Sequence, residues 1–523
     1  MSTLQERGAP ATAPPPAAWT FRHAARLLAA ALAIAVALGV AARLYSPSAL
    51  WLDEALSVAI ARRPLPELFD ALRRDGSPPL YYLLLHGWTI VFGTSDVAVR
   101  ALSTVFSLAT LPLVWRAGRA LGGPLVGASA LLVLAVNPFA VRYATEARMY
   151  ALVQLLVTAG LLAVLRALDR PSLARLAPVG LLSGLLALTH YWALFLLACA
   201  AGVLLALARR SPDRRPAALR TLAALVSGGV LFLPWLPTFL FQVQRTGTPW
   251  APTPGFVDAY YTVTGWSGGG GGLGVVLTLL LLGLGGLALV GRRAHGGIVL
   301  RRPVDPVALA LLAVSAGTLV LGLLAGMLLS AGYAARYSSV ALVPGLLLAA
   351  LGLRALPPRP RAVVLALAAV TGLAGALPQP LSTKRTQAVV TAATLAVRLQ
   401  PGDTVVYCPD QLGPAVSRLL PPGTKQVVYP SFGSPELVDW VDYAERNAAA
   451  SPQAYAQDLD QRAPGVVWLV VSGGYRTFGR QCEQLAEALE ERRGEGRVVQ
   501  NARRGYGEQQ AVTRFGPLVS AGR

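Results

Sequence analysis

The sequence predicts a polytopic α-helical membrane protein of about 11 transmembrane helices, followed by a small extracytoplasmic α/β domain. Three observations carry this. Of the 523 residues, 54% are hydrophobic and only 14% charged. Apolar runs of spanning length, roughly 20 residues, recur through the first 380 positions. Charge is unevenly placed: residues 1–379 hold 30 Lys/Arg against 12 Asp/Glu, whereas residues 380–523 hold 16 against 14. The net charge of +20 therefore sits in short clusters between apolar runs, as the positive-inside rule expects, and does not mark a nucleic-acid-binding surface.

Taken in order, residues 1–23, with "APATAPPPAA", read as a disordered cytoplasmic tail. The run over 24–44 lacks a small-residue cleavage site and reads as a retained signal-anchor. A long first loop follows at 45–96. Within it, "PLPELFDALRRD" spaces Leu65, Leu68, Phe69 and Leu72 at i, i+3, i+4, i+7, the pattern of an amphipathic helix suited to the membrane surface. The apolar part of "PPLYYLLLHGWTIVFG" is only 13 residues, too short to span, and reads as interfacial or re-entrant.

Arginine decides that point. Without this segment, later spans fall near 97–115, 124–140, 147–165, 176–190, 192–208, 221–241, 271–291, 304–330, 338–353 and 362–379. The cytoplasmic loops then hold 17 arginines and the opposite short loops four: Arg142, Arg148, Arg245 and Arg336. Counting the segment as a span inverts this ratio. The N-terminus is thus expected inside, in a bacterial plasma membrane, with a multi-spanning domain over 24–380 and the domain over 381–523 outside. In the latter, "DTVVYCP", "KQVVYP" and "GVVWLVVSGG" read as buried strands, and "LVDWVDYAERNAA" and "RQCEQLAEALEERR" as helices. "SGGYR" suggests a glycine turn without a phosphate-loop or dinucleotide fingerprint. Cys408 and Cys482 both lie in this domain, and nothing in the sequence sets their distance.

The outer face gathers the chemistry. Of the 12 acids in residues 1–379, eight face outward, Asp53, Glu54 and Glu146 among them. Carboxylates near hydrocarbon persist where they pair or line a wet cavity. Arg142, Arg148 and Arg336 oppose the positive-inside trend and call for an anionic partner, a carboxylate or a lipid phosphate. Transfer of a sugar from a lipid-linked phosphate to a hydroxyl suits such a set. A carboxylate takes the acceptor proton, and cations hold the departing phosphate. The leaving group is already acidic, so one base suffices. No His/Asp cluster has metal-ligand spacing, so neither a metal nor another cofactor is expected.

"LWLDEA", "DGSPPLYYLLLHGW", "RYATEARMYAL", "THYWALFLL" and "YAARY", in that order over residues 24–380, resemble the GT-C superfamily of polyprenyl-phosphate-dependent glycosyltransferases. The branch is that of protein O-mannosyltransferases and aminoarabinose transferases. The resemblance implies a GT-C-like fold and an inverting transfer onto a hydroxyl of a cell-wall glycan, a lipid or a secreted protein. It also implies Asp53 as base with Glu54 beside it, Glu146 as a second acidic site residue, and Arg336 as a donor-phosphate ligand. Arg148 and Arg142 join the phosphate-binding candidates, and Tyr81, Tyr82, His190, Tyr333 and Tyr337 those for substrate contact. Where relatives carry a "KPP"-like stretch before the aromatic pair, this chain has "GSPPLYY", so no lysine role carries over.

Each residue also has a plainer reading. "DEAL" opens a helix, Glu146 favours a helix N-terminus, and His190 beside Tyr191 and Trp192 suits an interfacial aromatic belt. Two other function classes compete: a lipid or glycan flippase, and a non-catalytic envelope-assembly protein. Against a transporter, no inverted repeat is visible and the acids lie on one face, not at the midplane.

Overall fold

The expected spans are helical in the computed structural model, with 124–140 broken into two helices and 221–241 into several; the structure describes residues 16–248, 251, 253–294, 297–329, 332–381, 384–472, 475 and 477–518. The first helices in chain order are α1 (Pro16–Ala41), α2 (Leu52–Ala61), α3 (Leu65–Asp75), α4 (Leu80–Phe92), α5 (Asp96–Gly122), α6 (Pro124–Ala135), α7 (Pro138–Ala144) and α8 (Tyr150–Asp169). Among the described residues, eight helices are long and apolar enough to cross a membrane, or nine if α6 and α7, bent by 59°, form one span. The expected count of 11 is reached only with two shorter apolar helices, Ala25–Ala41 at the end of α1 and Leu173–Ala187. Helix α1 as a whole runs 26 residues, about 39 Å at ~1.5 Å per residue, and is long enough for a ~30 Å hydrocarbon core, whereas Leu173–Ala187, at 15 residues, falls short. Residues 16–23, expected in the tail, belong to α1, and residues 1–15 lie outside the described residues.

The bundle closes through small residues. A Cβ on Gly118 of α5 would sit 2.8 Å from the Cα of Gly127 in α6. Only glycine there permits the backbones to approach so closely, the packing that replaces hydrophobic drive inside a bilayer.

In the first loop, α3 turns Leu68 and Leu72 into the core and leaves Leu65 and Phe69 partly exposed. It ends at Gly76, whose φ of 85° suits a residue without Cβ. The 13-residue α4 buries Tyr81, Tyr82 and Leu85 and exposes Ile90, Val91 and Phe92. One apolar face to the protein and one outward is what the short, non-spanning reading requires.

A hairpin of β1 (Gly291–Ala294) and β2 (Gly297–Leu300) separates two later spans. The C-terminal sheet contains β3 (Thr404–Cys408), β4 (Lys425–Val428), β5 (Val467–Val471), β6 (Arg497–Gln500) and β7 (Ala511–Phe515), in the order β4-β3-β5-β7-β6. β3 pairs parallel with β4 and β5, whereas β7 runs antiparallel between β5 and β6. All five residues of β3 are buried, as a strand covered on both faces demands. Cys408 at its end is disulfide-bonded to Cys482.

The expected helix over "LVDWVDYAERNAA" shrinks to Tyr443–Ala448. The N–H groups of Trp440 and Asp442 donate instead to the carbonyls of Arg74 and Arg245, and Asp442 takes φ 49°. Docking onto the first loop and onto the end of the helix Leu236–Arg245 outweighs local helix propensity here. The "SGGYR" turn falls largely outside the described residues.

Candidate functional site

Asp53 stands in the first turn of α2. The residue at the helix cap is Trp51, and no side chain caps there, so the plain capping role does not apply to Asp53. The Leu52 N–H at that terminus donates to Glu508 Oε2 of the C-terminal domain at 3.2 Å. The Asp53 side chain is 15% exposed, while its Oδ2 is buried, 3.6 Å from Arg336 Nη2.

Around it, Arg148 Nη1 donates to Ser57 Oγ at 3.1 Å, to Tyr82 Oη at 3.2 Å and to the Asp53 carbonyl at 3.4 Å. Tyr82 in turn donates to Asp75 Oδ2 at 3.2 Å. Burial pushes the Asp75 carboxyl above its usual range, against the opposing pull of Arg148. This chain ties α2 to α4 and places a second guanidinium behind Asp53.

An aromatic wall completes this side. Ring centroids lie 4.7 Å apart for Tyr143 and Tyr150, 6.0 Å for Tyr150 and His190, and 5.0 Å for His190 and Tyr337. Trp192 continues the wall to Tyr333 at 5.3 Å. The Arg336 guanidinium lies 6.0 Å from the Trp51 ring. Tyr333 donates to or accepts from Thr262 Oγ1 at 2.8 Å.

Glu54 points the other way. It is fully buried and engages Arg100 through two bonds, Nε to Oε1 at 2.7 Å and Nη2 to Oε2 at 2.6 Å. The Ala147 N–H also donates to Oε1 at 2.9 Å. Burial alone would push this carboxyl up; Arg100 overrides it and holds it below its ordinary value. Glu146, 1% exposed, meets Arg142 Nη2 at 3.1 Å without hydrogen-bond geometry at either oxygen. There burial prevails over Arg142 and the carboxyl is pushed up. Two neighbouring acids are thus held toward opposite charge states.

The structure therefore gathers Asp53, Arg148, Arg336, Tyr82, His190, Tyr333 and Tyr337. It sets Glu54, Glu146 and Arg142 behind them. Tyr81, expected at the substrate, is fully buried against α5 with Oη 3.3 Å from Ser103 Oγ. Sequence reasoning missed Arg100, Glu508 and Arg385. A lone arginine inside a membrane helix was a readable signal for Arg100. Arg385, whose guanidinium donates to the carbonyl and hydroxyl of Thr145 at 2.7 Å each, and Glu508 carry no local signal. Among the described residues, no three His, Cys, Asp or Glu side chains gather as a metal-binding group.

Glu508 yields a pH prediction. Burial raises its carboxyl to about 8, with Thr386, the Leu52 N–H and Gln510 pulling the other way. The folded state therefore holds this proton more tightly than the unfolded chain, whose ordinary value is 4.5. Its stabilising contribution is complete below that value and is lost as pH rises through 8. Glu508→Gln keeps the acceptor oxygen and removes the titration. The thermal midpoint of the wild type should fall more steeply than that of the variant from pH 5 to pH 9; equal slopes would contradict it.

Comparison with known proteins bears on the fold. The family model for dolichyl-phosphate-mannose-protein mannosyltransferase matches residues 76–237. The fold is similar to that of ArnT from Cupriavidus metallidurans in the apo state, with TM-score 0.64 at 14% identity over 94% of this chain and 98% of that one. The same protein bound to undecaprenyl phosphate gives 0.59 at 14% identity over 97% and 99%. The oligosaccharyltransferase of Archaeoglobus fulgidus in its apo form gives 0.54 at 12% identity over 90% and 73%. No curated protein matches the sequence. The chain thus shares its fold with ArnT and with the archaeal oligosaccharyltransferase, and its residues 76–237 are similar to the dolichyl-phosphate-mannose-protein mannosyltransferase family.

Proposed function

We propose that the protein is an inverting glycosyltransferase that moves a sugar from a polyprenyl-phosphate donor to a hydroxyl acceptor on the outer face of the membrane. The observation that carries this reading is the Asp53 carboxylate facing Arg336, with Arg148 behind it. In the step, the acceptor oxygen attacks the anomeric carbon as Asp53 takes its proton. The bond from that carbon to the lipid phosphate oxygen breaks, and the phosphate leaves with the electron pair. Arg336 receives that charge, and Arg148 keeps the local potential positive. The aromatic wall from Tyr150 to Tyr337 borders the sugar. Glu54 acts as a positioning residue, locking α2 to α5 and to the 146–147 turn. No resident cofactor is called for, because the donor supplies the leaving group.

A structure of ArnT is described as bound to undecaprenyl phosphate, which supports a donor of that class here. The Cys408–Cys482 disulfide supports an oxidising compartment for the C-terminal domain. A reporter fused after Arg523 should work only outside the cytoplasm, and one at Gly122 only inside; reversal at either position would sink this topology.

The experiment that tests the site is Arg336→Ala, assayed for donor and acceptor dependence separately. A charge-assisted bond to phosphate contributes roughly 1.5–3 kcal/mol, so the apparent donor affinity should fall about 10- to 150-fold. Lysine should rescue only in part, lacking the planar fork. Unchanged donor affinity would remove Arg336 from the phosphate site.

A further inference from the structure

We propose that the cavity between the C-terminal domain and helices α2 and α3 binds a neutral, hydroxyl-rich glycan segment of the acceptor. The assignment rests on the glycosyltransferase reading above.

The cavity has a volume of about 600 Å³, within the roughly 300–1,000 Å³ of small-ligand sites. It shares helix α2 with Asp53. Leu56 and Ile60 of α2 line it, and they follow Asp53 at i+3 and i+7, on one stripe of the helix. At ~1.5 Å per residue, Ile60 lies about 10 Å from Asp53 along the axis. A short oligosaccharide lying along α2 would bring its terminal hydroxyl toward the base.

The floor is polar. Tyr443 donates to Asp410 Oδ1 at 2.6 Å, and both line the cavity. Asn447 also lines it, is 4% exposed, and its side chain hydrogen-bonds Tyr443, so the floor is a linked set of three polar side chains. Burial raises the Asp410 carboxyl to about 7, offset by Tyr443 and Arg446, so it presents a neutral donor at little cost near neutrality.

The rim argues for a neutral ligand. Arg63 is paired with Glu67 at 3.3 Å and Glu436 at 3.4 Å, and Arg74 with Asp70 at 3.2 Å and Asp439 at 3.3 Å. Each of these two arginines is already held between a first-loop acid and a domain acid, and Arg446, which also lines the cavity, donates to the Val441 carbonyl at 2.9 Å and lies 3.9 Å from Asp439. A phosphate would have to break those pairs, and an acyl chain would strand the polar floor. Hydroxyls, which donate and accept, satisfy both carboxylates and guanidinia without displacing either.

The test uses full-length protein in nanodiscs and a panel of neutral gluco-, galacto-, manno- and arabino-configured trisaccharides, with binding read by saturation-transfer NMR. At least one trisaccharide should bind the wild type and Asp53→Asn alike. Ser431→Trp, which fills the cavity from an exposed rim position, and Asn447→Leu should each weaken that binding at least tenfold. Thermal midpoints and polyprenyl-phosphate binding should be unchanged in Ser431→Trp. No binding by any trisaccharide, binding that survives both variants, or competition by inorganic phosphate at the same site would overturn the proposal. If trisaccharides bind as expected but the wild type turns over no lipid-linked sugar, the activity fails and the glycan site stands; the reverse pattern rejects the site alone.

Discussion

Asp53→Asn is expected to leave a folded, donor-binding protein in which transfer is nearly abolished. The contacts that hold α2 at this end do not use the Asp53 carboxylate: Glu508 takes the Leu52 N–H, Arg148 and Ser57 donate to the Asp53 carbonyl, and Glu54 pairs with Arg100. The substitution keeps all of them. It removes a charge from the first turn of a helix, a change of about 0.3–1 kcal/mol. Loss of a general base costs on the order of 10²–10⁴ in rate. Folding and turnover should therefore separate, as read by gel filtration and thermal unfolding on one side and single-turnover transfer on the other. Aggregation of the variant would make the carboxylate structural. Turnover within a few-fold of wild type would give the base to another residue.

The second large effect is structural and falls on the Glu54–Arg100 pair. Both side chains are buried, at 0% and 4% exposure, and joined by two bonds. Arg100→Leu leaves a carboxylate in the protein interior with only the Ala147 N–H as partner. Breaking one side of such a pair costs about 3–5 kcal/mol. Expression and thermal midpoint should drop sharply, with activity falling in proportion to folded protein. Removing both charges together, as Glu54→Gln with Arg100→Met, should recover part of that loss, because no charge is then stranded. A double variant as damaged as Arg100→Leu would show that the pair contributes more than mutual neutralisation. If Arg100→Leu is as stable as wild type, the buried network is not what holds α2.

Much of this was legible in residue order because the membrane imposes strict rules. Arginine placement predicted that Leu80–Phe92 does not span, and the helix found there is 13 residues with one face outward. Asp53 was legible because an acid beside a span needs a reason. What was not legible is pairing across distance. Glu54 and Arg100 are 46 residues apart, and Glu508 reaches Leu52 across 456. Adjacent in sequence, Asp53 and Glu54 invited one shared role; a helix turns consecutive residues about 100° apart, which sends one to the site and the other into the core. In the C-terminal domain, the apolar runs of β3, β4 and β5 were read correctly. The helix Pro452–Arg462 and the strands Arg497–Gln500 and Ala511–Phe515 were missed, since their sequences "PQAYAQDLDQR", "RVVQ" and "AVTRF" carry little periodic apolar signal. That domain contacts the elements around the candidate site, through Glu508 on α2 and Arg385 on Thr145, which no local pattern foretold.

The central claim is that this chain consumes a lipid-phosphate-linked sugar with Asp53 as base. Native mass spectrometry of the lipids carried by purified wild type and Asp53→Asn tests it most directly. The account predicts that a polyprenyl-phosphate sugar accompanies the inactive variant, and that the wild type supplied with the same lipid converts it to polyprenyl phosphate. Bulk phospholipid alone on both proteins, or equal loss of the sugar in both, would contradict it.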